Sequence, residues 1–121
     1  MAVYDLAHRL ATKVKESTEY QEYLQIRKSI LNNEKNRDML LDFRKEQFKI
    51  QAKQISGQEV SEEDKEKLNN LRQIIELNPD IKKYLETEYR VGVLLDDLQK
   101  IVFGELEIGL PDASEDKDGE E

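Results

Sequence analysis

NPDIKKYLETEYRVGVLLDDLQKIVFGEL, residues 78–106, decides the fold. Asn78 stands as an N-cap, Pro79 suits a first turn that has no use for its missing N–H, and Asp80 puts negative charge at the positive end of the helix dipole. Behind them Ile81, Tyr84, Leu85, Val91, Leu94, Leu95, Leu98, Ile101 and Val102 recur at steps of three and four among Glu, Lys, Asp and Arg. The pattern predicts one amphipathic helix from Pro79 to about Leu106. At about 1.5 Å per residue it is a rod of some 40 Å. A compact domain of this size is narrower than that, so shorter helices are expected to lie along it.

Upstream, four more helices can be read. Val3, Leu6, Ala7, Leu10, Ala11 and Val14 mark a first helix, and Ser17 can cap a second that carries Tyr20, Tyr23, Leu24, Ile26, Ile30 and Leu31. Asn32-Asn33 closes the second helix, since asparagine tolerates the left-handed backbone of many helix ends. A third helix runs from Glu34 or Lys35 to Ile55, with Leu41, Phe48 and Ile55 spaced at sevens, a step that suits shallow packing against another long helix. Gly57 then ends it. Ser61 caps a fourth helix whose first turn holds Glu62, Glu63 and Asp64, and Asn78-Pro79 stops it, because the residue before proline is pushed out of the α region. No strand-like alternation of useful length occurs.

The expected architecture is all-α. It is a bundle of about five helices over residues 1–111, with the third and last helices as a long antiparallel pair and a disordered acidic tail over 112–121. Leu110-Pro111 is expected to fold back as an apolar clip. The tail holds six acids against Lys117, so of the net charge of −8 only −3 remains on the body. A mildly acidic body without a basic run leaves no direct nucleic-acid footprint. No apolar run approaches the ~20 residues of a membrane span, no signal peptide opens the chain, and the expected location is cytoplasmic.

Charged residues make up 38% of the chain, the apolar set 37% and aromatics 7%, with no Trp. The core must therefore be built from Leu, Ile and Val, and it is thin for one chain. A homodimer or higher homo-oligomer is expected to complete it. The candidate interface comprises Leu41, Phe48, Ile55, Tyr84, Tyr89, Leu95 and Phe103, exposed apolar and amphipathic side chains of the kind that recognition surfaces favour. Tyr20 and Tyr23 share that chemistry, although their rings can equally finish the core. Gly92, inside the last helix, marks either a close approach of another helix or an incidental weak point.

Nothing points to catalysis. The chain has no cysteine, which excludes disulfides, thiolate chemistry and cysteine-ligated metals. His8 is the single histidine, and no Glu precedes it at the Glu-x-x-His spacing of bundle metal sites. Glu62, Glu63, Asp64, Asp96 and Asp97 read as a dipole-favoured first turn and a solvated face. No catalytic, metal-binding or cofactor-binding residue is assigned, and a carboxylate-based metalloenzyme is the least favoured class.

Val3-Tyr4-Asp5-Leu6-Ala7-His8-x-Leu10-Ala11, Glu16-Ser17-x-Glu19-Tyr20 and Leu40-x-Asp42-Phe43-Arg44-Lys45 resemble the YlbF/YmcA/YheA family of small bacterial helical proteins. Phe103-Gly104-x-Leu106-Glu107-Ile108-Gly109-Leu110-Pro111 is most similar to the YheA branch. The resemblance implies an all-helical, cytoplasmic, oligomeric protein of Gram-positive bacteria without catalytic residues. It further implies kinship with regulators that assist the membrane-anchored ribonuclease RNase Y and so affect competence, biofilm formation and sporulation. Those complexes involve iron–sulfur clusters with cysteine ligands, and a cysteine-free chain ligates none itself. The expected function is a non-enzymatic adaptor or regulator with protein partners. The alternative is a structural or chaperone-like protein holding apolar segments between its helices.

Overall fold

The computed structural model describes residues 1–110; Pro111 and the tail expected to be disordered, 112–121, lie outside them. Five helices follow in order: α1 Ala2–Glu16, α2 Thr18–Leu31, α3 Glu34–Ile55, α4 Glu62–Glu76 and α5 Pro79–Phe103. The described residues contain no strand. No helix among them is long and apolar enough to cross a membrane.

Four of the five starts are capped by a side chain that satisfies a backbone N–H free in the first turn. Ser17 Oγ accepts from the Tyr20 N–H at 3.3 Å, Asn33 Oδ1 from Asn36 at 3.1 Å and Ser61 Oγ from Asp64 at 3.1 Å. Asn78 Oδ1 accepts from both Asp80 and Ile81 at 3.1 Å. Asn33 thus serves as the cap of α3. Neither it nor Asn32 takes the left-handed backbone expected of them, and no residue but glycine has a positive φ among the described residues. Gly57 does take it, at φ 77°, as the turn from α3 towards α4 requires.

The helices pack as two antiparallel pairs, α2 with α5 and α3 with α4. α3 and α5 do not form the expected antiparallel pair. Those two helices start side by side and run in the same direction: Asn36 and Asn78 touch at their starts, and Arg44 pairs with Glu88 further along. One core sits where the pairs meet. It is built from Ile30 of α2, Leu40 and Phe43 of α3, Ile75 of α4 and Ile81 of α5, with Met39, Leu68, Leu71, Tyr84 and Leu85 packed round them. Of the expected Leu110-Pro111 clip, Leu110 is 96% exposed and does not fold back onto the described helices, and Pro111 lies outside the described residues.

The other end of the α3–α4 pair is held by charge. Asp64, expected on a solvated face, is 7% exposed and sits between Lys53 and Lys49, the latter at 3.1 Å. The hydrogen bond from Lys53, then that from Lys49, holds its carboxyl down from 3.8 to about 2. A depressed pKa stabilises the fold wherever the unfolded carboxyl would be ionised. That contribution is complete above about pH 4 and is lost as pH falls towards 2. Urea midpoints should therefore drop further between pH 4 and pH 2 in the wild type than in Asp64→Asn; parallel drops would contradict the pairing. Glu46, also buried, pairs with Lys67 at 3.6 Å, and among the described residues its Oε1 has no hydrogen-bond partner.

Gly92 marks no close approach among the described residues, since a Cβ added there meets nothing of theirs within 4 Å. Alanine at this mid-helix position restricts the unfolded chain without a steric penalty. Gly92→Ala should raise stability by about 0.5–1 kcal/mol in urea titration; a loss would mean that the space is occupied in solution.

Candidate interaction surfaces

The seven interface candidates fall in four places rather than one. Leu41, Phe48 and Ile55 form an exposed row on α3, with Phe48 72% and Ile55 88% accessible. At 100° per residue that row lies about 140° round the helix from the buried one of Asn36, Leu40, Phe43, Glu46 and Ile50. It therefore faces away from the bundle.

Tyr84 belongs to the interior. Its ring lies 5.5 Å from that of Tyr23, which stacks in turn on Tyr20 at 6.3 Å. The Tyr23 and Tyr84 hydroxyls meet at 3.3 Å. Burial, the Tyr23 hydrogen bond and the nearby Glu88 carboxylate push the Tyr84 phenol above its ordinary value. Tyr20, Tyr23 and Tyr84 thus join α2 to α5, whereas Tyr4 and Tyr89 are exposed.

Leu95 and Phe103 lie on a different feature, an open groove of about 580 Å³ between α1 and the distal half of α5. Ala7, Leu10 and Val14 form one wall and Leu95, Leu98 and Val102 the other, with Tyr20 between them. Its lining is apolar but for Lys15 and Gln99. The α1 wall follows from the sequence: apolar residues at steps of three and four put one stripe on the helix. Its exposure follows from packing, because among the described residues α1 approaches the others at backbone level only through α2. No α1 residue is buried, and Val3, Tyr4 and Leu6 are each at least 60% accessible. Sequence reasoning found that stripe but did not place it in the interface.

His8 is exposed on α1. Among the described residues, no three His, Cys, Asp or Glu side chains gather where they could hold a metal ion. The ionic pairs Arg44–Glu88 and Arg90–Glu22 tie α5 to its neighbours.

The family profile described as "Control of competence regulator ComK, YlbF/YmcA" matches residues 3–107. A UPF0342 protein of Halothermothrix orenii is 54% identical over 110 residues, which span 91% of this chain and 93% of that one. A UPF0342 protein of Caldicellulosiruptor bescii is 40% identical over 105 residues, 87% and 88% of the two chains. A solved structure, described as a protein of unknown function (DUF964) from Bacillus stearothermophilus, shares the fold with a TM-score of 0.73. It covers 86% of this chain and 91% of its own, at 16% identity.

Proposed function

Because the chain belongs to the YlbF/YmcA family, whose profile is described by control of a competence regulator, we propose that it is a non-enzymatic regulator that works by binding proteins and by pairing with itself. The observation that carries this reading is the distribution of apolar surface. The core is confined to the meeting point of four helices, while α1 and the far end of α5 present a continuous apolar groove to solvent. Single exposed apolar residues are ordinary, whereas contiguous apolar surface marks interaction sites. The natural setting of such a protein is the cytoplasm, in control of competence or in the RNA maturation to which the family resemblance points.

Tagged protein captured from a bacterium that carries this chain should retain a protein partner, and the two, purified separately, should reassemble at a fixed ratio. Retention of assorted unfolded chains at no fixed ratio would replace the regulator by the chaperone-like reading. Turnover by the purified protein would remove both.

A further inference from the structure

We infer that residues 105–110, Glu105-Leu106-Glu107-Ile108-Gly109-Leu110, are a docking segment for a basic protein surface that carries apolar slots. The inference rests on the regulator reading above and says where a partner is gripped.

The first ground is that the segment packs on nothing described. It leaves α5 beyond Gly104, and all six of its residues are exposed. Leu106, Ile108 and Leu110 are 56%, 82% and 96% accessible. Of its N–H groups, among the described residues, only that of Leu106 donates to a backbone carbonyl, Phe103 O at 3.1 Å. Full burial of an aliphatic side chain yields about 1.5–3 kcal/mol, which these three residues leave to a contact outside the described fold.

The second ground is spacing. The apolar residues fall at every second position, with carboxylates at Glu105 and Glu107. In extended backbone successive side chains point to opposite sides, so Leu106 and Ile108 share one side and the two glutamates the other. Gly109, at φ 78°, turns the chain before Leu110. A helix face needs steps of three and four, so this pattern is no continuation of α5. Short extended segments are recognised through main-chain hydrogen bonds to a free strand edge and slots for alternate side chains.

The third ground, charge, fixes the chemistry of the occupant. Residues 105–121 carry eight acids against Lys117, a net −7 of the chain's −8, so residues 1–104 carry −1. Blocks of like charge at a chain end act as interaction tails. A basic surface is drawn to such a segment and an acidic one repelled. The body of a second copy, at −1, offers no answering field, which makes the occupant a different, basic protein.

Fluorescence anisotropy of a labelled peptide that alternates lysine and leucine tests the inference on the full-length protein. The wild type should bind it with a micromolar Kd at low salt. Leu106→Ser, Ile108→Ser and Leu110→Ser combined keep every charge and should weaken binding about tenfold or more, since a tenfold change corresponds to less than one buried aliphatic side chain. Glu105→Gln with Glu107→Gln should weaken binding and flatten its salt dependence. Phe48→Ser, on the exposed row of α3, should bind as the wild type does. None of these positions lies in the core, so the circular dichroism unfolding curves should superimpose. A wild type that fails to bind, a triple variant that binds equally, or a loss confined to Phe48→Ser would each overturn the segment. So would a triple variant whose mass in light scattering departs from the wild type's, since the segment would then be a contact between copies. A partner that reassembles equally well with the triple variant overturns the segment and leaves the regulator standing, whereas a wild type that retains no partner removes the regulator itself.

Discussion

Ile81→Ala should remove about 3–4 kcal/mol of folding stability, the largest effect expected of any single truncation in this chain. Ile81 is 0% exposed and sits where α2, α3, α4 and α5 converge. Its environment comes from four separate helices held by caps and pairs, so the walls cannot collapse into the space left behind. Removing buried aliphatic atoms forfeits their transfer free energy and adds the loss of contacts round the cavity. Small domains have only about 5–15 kcal/mol in total, and a core this localised belongs at the low end. Urea unfolding followed by circular dichroism measures the change. Ile55→Ala is the control: Ile55 is equally apolar but 88% exposed, and its loss should register close to zero. Equal shifts for the two variants would mean that the core has been misplaced.

Asn78→Ala should destabilise by about 2–3 kcal/mol, because one side chain serves two helices. Its Oδ1 accepts from two N–H groups at the start of α5, and loss of an N-cap side chain costs about 1 kcal/mol. Its Nδ2 donates to Asn36 Oδ1 at 2.7 Å, and Asn36 is buried. Alanine leaves that amide without its donor, a further 1–3 kcal/mol or so. The Asn78→Asp variant separates the two roles. Its carboxylate still caps and suits the helix dipole, and Asn36 can turn its amide to donate, so the loss should stay under about 1 kcal/mol. If Asn78→Asp were as damaging as Asn78→Ala, the link to Asn36 would outweigh the cap.

Asn78 also shows why some of this fold is legible in sequence and some is not. Caps are local: a Ser or Asn placed two or three residues before an apolar periodicity announces a helix start, and Ser17, Ser61 and Asn78 were all readable in that way. Pairing between helices is not local. The true inner row of α3 contains Asn36 and Glu46, whose contacts, Asn78 and Lys67, lie on distant segments. A hydropathy pattern ranks those two residues outward and so favours the greasier row of Leu41, Phe48 and Ile55, which faces water. Asp64 misleads for the same reason. It looks like one more acid in a first turn until α3 brings up Lys49 and Lys53. The groove was half visible: Leu95 and Phe103 could be chosen as exposed apolar residues, whereas only the packing shows that α1 stands beside them uncovered.

Ile81 and Phe103 stand near opposite ends of one continuous helix, 22 residues and therefore about 33 Å apart. Perturbations that far apart, without shared neighbours, add independently. Substitutions in the outer third of α5 and in the α1 stripe can thus reshape the exposed groove while the stability of the core stays set at the other extremity.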